Sequence, residues 1–217
     1  MLAGIAKFYV EGGAFMHPIT VMSVISIAIM IERVYALYFK YNINADQFMA
    51  QIQKLVMANN IDRAIKLCNA APKAALPRVI KAALTRANKG EVEISTAMED
   101  STLEVLPQLN KRTPLLTTVS GMATMLGLLG TIIGLIDAFA AVATAPPDKK
   151  TEMLTLSIAI AMNTTAWGLI VAIPTTFVAV LLNTTTKKIV EDIDLYSVKM
   201  QNLLVARGKG TTNPLDH

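Results

Sequence analysis

The chain has 217 residues, a formal net charge of +4, 53% hydrophobic side chains and a mean hydropathy of +0.46. That is too apolar for an ordinary soluble domain, and no basic patch interleaved with aromatics invites nucleic acid. A lone cysteine, Cys68, excludes an internal disulfide. The absence of a nucleotide loop, zinc spacing or nucleophile–base set points away from an enzyme, a resident cofactor, or any catalytic or metal-binding residue.

Residues 1–16 carry Ile5, Phe8, Tyr9 and Phe15 beside Lys7 and Glu11. They are too short and polar to span a bilayer and predict an interfacial amphipathic segment. Residues 17–39 form the first predicted transmembrane helix, opened by His17-Pro18 and closed by Glu32-Arg33 and a tyrosine belt at Tyr35, Tyr38 and Tyr41. Glu32 and Arg33 read as an ion-paired anchor at the helix end, with an ion-relay role for Glu32 as the alternative.

Residues 40–113 predict a polar helical insert. Asp46 is suited to cap its first helix, Cys68 lies on a buried face, and Pro77 begins a helix that Gly90 terminates. Glu91 to Lys111 predicts a long helix running on into the second span through Pro107 and Pro114.

Two apolar runs follow, at 114–145 and 153–183, joined by a polar turn at 146–152. Asp137 is the single charged residue between Arg112 and Asp148, and none stands between Glu152 and Lys187. Each run is about 46 Å long as a helix, enough to cross a hydrocarbon core of about 30 Å. In lipid only helices or closed barrels satisfy the backbone, and no strand alternation is present, so these are transmembrane helices 2 and 3. The predicted fold class is therefore all-α, with three transmembrane helices, the last two long and extending into a cytoplasmic helical region. Residues 184–217 predict a C-terminal helix with a flexible tail from Arg207.

Topology follows from basic residues. The insert carries eleven Lys and Arg and the C-terminal segment five, against three in the N-terminal segment and the turn. The positive-inside rule places the insert and the C-terminus in the cytoplasm and the N-terminus outside.

Each long helix has a small, hydroxylic face. Thr117, Thr124 and Thr131 recur every seven residues near Gly127, Gly134 and Ala138. Ala161, Thr165, Gly168, Ala172 and Thr176 follow helical spacing in the next helix. Such faces serve close helix packing or line a polar ion path. Thr164 adds a hydroxyl about 100° from Thr165. Asp137, about 120° from Thr131 and near the turn, reads either as an ion-access group or as an interfacial anchor.

The stretch Leu126-Gly127-Leu128-Leu129-Gly130-Thr131-Ile132-Ile133-Gly134-Leu135-Ile136-Asp137-Ala138-Phe139 resembles the first pore-helix motif of the MotA/TolQ/ExbB proton-channel family. Thr164-Thr165-Ala166-Trp167-Gly168-Leu169-Ile170-Val171-Ala172-Ile173-Pro174 resembles its second, in an order closest to the ExbB/TolQ branch. The resemblance implies an inner-membrane ion-channel or stator subunit that turns the proton motive force into work on a periplasmic or outer-membrane partner. It implies an ion pathway through Thr131 and Thr165, with Thr164 and Asp137 beside it. Thr124, Gly127, Gly134, Gly168, Ala172 and Pro174 then form the pore face and helix packing.

The implied partners are further copies of this chain, as a pentamer, around a dimer of an ExbD/TolR-like single-span subunit that brings a membrane aspartate. A TonB/TolA-like or gliding effector and membrane lipid complete the set. The resemblance also places residues 1–16 on the periplasmic surface of the bacterial inner membrane. Many ExbB and TolQ proteins carry a glutamate five residues before the second-motif threonine, and this chain has Ile160 there. The overall resemblance is to proton-driven members, so transported H⁺ is the first expectation; without that acid, Na⁺ on hydroxyl oxygens is the second, and a passive membrane scaffold is the third.

Overall fold

The computed structural model describes residues 8–9 and 12–211, and every regular element among them is a helix. These are α1 (Met16–Tyr35), a π-helical segment (Ala36–Tyr41), α2 (Ala45–Met57), α3 (Ile61–Ala70), α4 (Ala75–Thr85), α5 (Glu91–Asn110), α6 (Thr113–Thr144) and α7 (Lys150–Thr211). Among the described residues three stretches are long and apolar enough to cross a membrane, and they contain α1, α6 and α7. The expected interfacial segment falls mostly outside the described residues, as does the tail beyond Thr211. The C-terminal helix runs past Arg207, where the sequence suggested that it would fray.

The chain divides into two units, residues 1–33 with 112–181 and residues 34–111 with 182–217. The first unit holds α1, α6 and the N-terminal part of α7. Ile19, Ala123 and Val171 meet in its core, with Met22, Leu126 and Trp167 packed around them. Outward-facing Val24, Ile31, Met125, Leu128, Ile132, Ile173 and Phe177 are all exposed in the single chain. Apolar side chains on the outside of helices this long are suited to lipid or to neighbouring apolar helices.

The second unit buries Ile52, Val56, Leu76, Val79, Ile80, Leu84, Ile94 and Leu109 from α2 to α5. Its part of α7 contributes Ile189, Ile193, Tyr196, Met200 and Leu204. Their spacing of three and four residues is the signature of one helix face. Glu191, Asp194 and Lys199 are exposed between them, together with the apolar Leu195 and Val198.

Several local expectations are corrected. The helix after Glu91 ends at Asn110 and a new one starts at Thr113, because Arg112 adopts a left-handed conformation with φ 60°. Pro114 supplies no backbone N–H and restricts the residue before it, so it suits a first turn and opens α6 instead of kinking a continuous helix. Pro107 does stay inside α5. Asn44, not Asp46, caps α2, its side chain accepting from the Gln47 backbone N–H at 3.2 Å. Asp46 instead accepts a hydrogen bond from the Tyr196 hydroxyl. Gly90, at φ 104°, precedes α5 as its N-cap, whereas α4 already ends at Thr85.

Candidate functional site: a hydroxyl-lined helix crossing

The crossing of α6 and α7 is built on missing side chains. A Cβ on Gly127 would lie 3.1 Å from the Thr164 carbonyl oxygen and 3.2 Å from the Thr165 Cα. One on Gly168 would lie 2.7 Å from the Ala123 carbonyl oxygen, and one on Gly134 would lie 2.9 Å from the Ala161 Cβ. Backbones approach this closely only where both surfaces are small, and the predicted glycine face is that surface.

Close approach brings hydroxyls across the gap. The Thr131 and Thr165 hydroxyls share a hydrogen bond. Thr131 can donate to the Gly127 and Ala161 carbonyls, each 3.2 Å away, and Thr165 donates to Gly127 at 3.0 Å. Two hydroxyls hold two protons, and the acceptors within reach are each other's oxygen and two carbonyls that the Thr164 hydroxyl also approaches. The protons can therefore exchange partners without leaving hydrogen-bonding range, and oxygen lone pairs remain available. Both threonines are partly exposed at the edge of the crossing.

The other predicted residues are placed differently. Thr164 is 2% exposed, donating to the carbonyls of Ala161 at 2.7 Å and Gly127 at 3.3 Å. It packs onto Gly130, away from the open edge, so its 100° offset puts it inside the crossing. Thr124 is exposed and its hydroxyl returns to the Ser120 carbonyl at 3.2 Å. Ala172 is buried, Pro174 is exposed within α7, and Asp137 is exposed.

Sequence reasoning missed Ser120. Its hydroxyl, 4% exposed as a residue, donates to the Ala172 carbonyl at 2.9 Å and lies 2.6 Å from the Thr176 hydroxyl. Its place one turn before Thr124 was the available signal. It also missed how α1 is tied in: the Trp167 indole N–H donates to the Thr20 hydroxyl at 3.2 Å, and Phe8 and Tyr9 pack on the same indole. Glu32 pairs with Arg112, not with its neighbour Arg33. Arg33 is 2% exposed and donates through Nε to the Thr113 hydroxyl at 3.2 Å. Neighbours in a helix point about 100° apart, which separates the two side chains.

The second unit contains a polar cavity of about 490 Å³ lined by Tyr38, Asn42, Asn44, Asp46, Lys188 and Asp192. Burial raises the Asp192 pKa, with Lys188 opposing and Asp46 and Glu191 adding to the rise. Among the described residues no cluster of three or more His, Cys, Asp or Glu side chains is arranged to hold a metal.

A family model described as the MotA/TolQ/ExbB proton channel family matches residues 71–195, a range that contains both glycine-rich motifs. The biopolymer transport protein ExbB-like 3 of Synechocystis is 29% identical over 167 residues, covering 76% of this chain and 78% of that one. The biopolymer transport protein ExbB of Aquifex aeolicus is 34% identical over 101 residues, 46% of this chain and 66% of that one. The biopolymer transport protein exbB1 of Vibrio cholerae is 40% identical over 76 residues, 35% and 33% of the two chains.

Proposed function

The chain belongs to the MotA/TolQ/ExbB proton channel family, and from that premise we propose that it is the ion-conducting stator subunit of an ExbB/TolQ-type motor in a bacterial inner membrane. The observation that carries the reading is the Thr131–Thr165 pair: exchangeable hydroxyls at the exposed edge of a charge-free helix crossing. An ion that sheds water within a bilayer needs replacement oxygens, and this edge presents them.

A hydroxyl pair passes a proton only if a titratable group delivers it. The described part of the crossing offers threonines, serine and carbonyls, so the carboxylate is supplied by a single-span ExbD/TolR-like subunit. Several copies of this chain, five in the proposed assembly, would surround a dimer of that subunit with the threonine edges facing the axis. Exposed Leu, Ile and Phe side chains then meet lipid or neighbouring copies. Asp137, exposed near the turn, attracts cations to the outer mouth instead of carrying each one. The insert and C-terminus lie in the cytoplasm, and the motor works on a TonB/TolA-like or gliding effector.

Thr165→Val tests the reading. It keeps the branched shape and removes one oxygen. Losing a hydrogen bond to a charged group is worth about 1.5–3 kcal/mol, so ion flow should fall about 10- to 100-fold with assembly unchanged. Flow is measured in H⁺-only and Na⁺ media, because a sodium path would use more hydroxyls than a proton path. Normal assembly with wild-type flow in both media defeats the reading.

A further inference from the structure

Helical threonines normally rest their hydroxyl on their own carbonyl four residues back. Thr124, Thr155 and Thr175 do so in α6 and α7, through Ser120, Thr151 and Val171. Thr165 does not: its carbonyl of that register, Ala161, receives the hydroxyls of Thr164 at 2.7 Å and of Thr131 from α6 at 3.2 Å, and Thr165 is turned across the crossing to Gly127. The same displacement occurs once more. The carbonyl four residues before Thr176 is Ala172, and it is taken by Ser120 of α6 at 2.9 Å. Thr176 is turned to Ser120, 2.6 Å away.

The two arrangements share a period. Thr131 and Ser120 are eleven residues apart on α6, as are Thr165 and Thr176 on α7. Eleven residues turn an ideal helix by about 1100°, within about 20° of three full turns, and advance it by about 16 Å. Both pairs therefore face the same side of the antiparallel hairpin at two depths.

Proton counting separates the roles within the second pair. Ser120 has one O–H and gives it to Ala172, so Thr176 donates to Ser120. Thr176 is exposed where Ser120 is buried, and as the donor of that bond its oxygen keeps its lone pairs for another partner. A packing pair needs only to satisfy its polar atoms. Here the carbonyl on which an α7 threonine would rest receives an α6 hydroxyl instead, as the Ala161 carbonyl receives that of Thr131.

We propose that Thr176 is a second oxygen site for the transported cation, about 16 Å along the path from Thr165, with Ser120 as the residue that positions it. The inference rests on the reading of Thr131 and Thr165 as an ion path. It adds a second oxygen layer to that path, since conduction is favoured where an ion passes between several weak sites.

The test is cation flux through the membrane-reconstituted native complex, read with a pH dye under an imposed proton gradient and separately with Na⁺. Thr176→Val should lower flux about tenfold and raise the half-saturating cation concentration, whereas Thr176→Ser, which keeps the hydroxyl, should stay within about twofold. Ser120→Ala frees the Ala172 carbonyl, lets Thr176 fold back onto it, and should lower flux similarly. The Ser120→Ala/Thr176→Val double variant should be no worse than Thr176→Val alone.

Equal behaviour of Thr176→Val and Thr176→Ser, or wild-type flux in an assembled Thr176→Val complex, overturns the proposal. If Thr176→Val does not assemble, Ser120→Ala with wild-type flux and half-saturation overturns it. Thr165→Val run in parallel separates the two levels. A loss there with none at Thr176 rejects only the second site, and no loss at Thr165 rejects the ion path itself.

Discussion

Gly168→Ala probes the crossing on which the site depends. The added Cβ would stand 2.7 Å from the Ala123 carbonyl oxygen and 3.2 Å from the Gly127 Cα, both backbone atoms that cannot swing aside. Ordinary contact begins near 3.4 Å, so α6 and α7 must separate by about 0.7 Å. The Thr165–Gly127 hydrogen bond, 3.0 Å long, would then approach about 3.7 Å, beyond useful range. The Thr131–Ala161 bond, 3.2 Å long, lengthens likewise. Bonds within one helix, Thr131 to Gly127 and Thr164 to Ala161, survive. The hydroxyls fall back on their own helices.

Overpacking of this kind costs about 1–3 kcal/mol, and loss of the shared oxygens should lower ion flux about tenfold or more. Thermal stability of the purified assembly and flux in reconstituted vesicles are measured together. Gly121→Ala is the control, since its Cβ meets nothing within 4 Å and helix propensity favours alanine by about 1 kcal/mol. If Gly168→Ala matches Gly121→Ala in both measurements, close approach is not what holds the hydroxyls.

Two predictions concern the second unit. Burial pushes the Cys68 thiol from 9.0 up to about 12, with the Lys81 charge pulling the other way. Alkylation of the native protein at pH 8 should be on the order of a thousandfold slower than in the unfolded chain, and labelling at the unfolded rate would contradict the burial. The Tyr196 hydroxyl is raised from 10.0 to about 12, chiefly by its hydrogen bond to Asp46. A raised folded-state pKa contributes stability that is full below the unfolded value and lost as pH climbs through the folded one. Tyr196→Phe should therefore destabilise by about 1 kcal/mol near neutrality, and its difference from wild type should shrink between pH 10 and 12. Denaturant midpoints across that range check it, and a pH-independent difference would exclude the hydrogen bond as the cause.

The three spans were legible because lipid imposes a length and a ban on charge that leave their mark on composition alone. The glycine and threonine faces were legible because helical periodicity maps sequence onto one side of a rod. What those faces meet was not written locally. Ser120 gains its significance from Ala172 and Thr176, more than fifty positions away, and Thr164 is enclosed because α6 crosses on its side. Glu32 finds Arg112 across eighty residues, in preference to the base beside it. Local rules also misplaced the break before α6, where Arg112 leaves the helical region and Pro114 starts a new helix. Helical pattern decides which side chains share a face. Only the crossing of two helices, set by where both backbones are bare enough to touch, decides which of those side chains share protons.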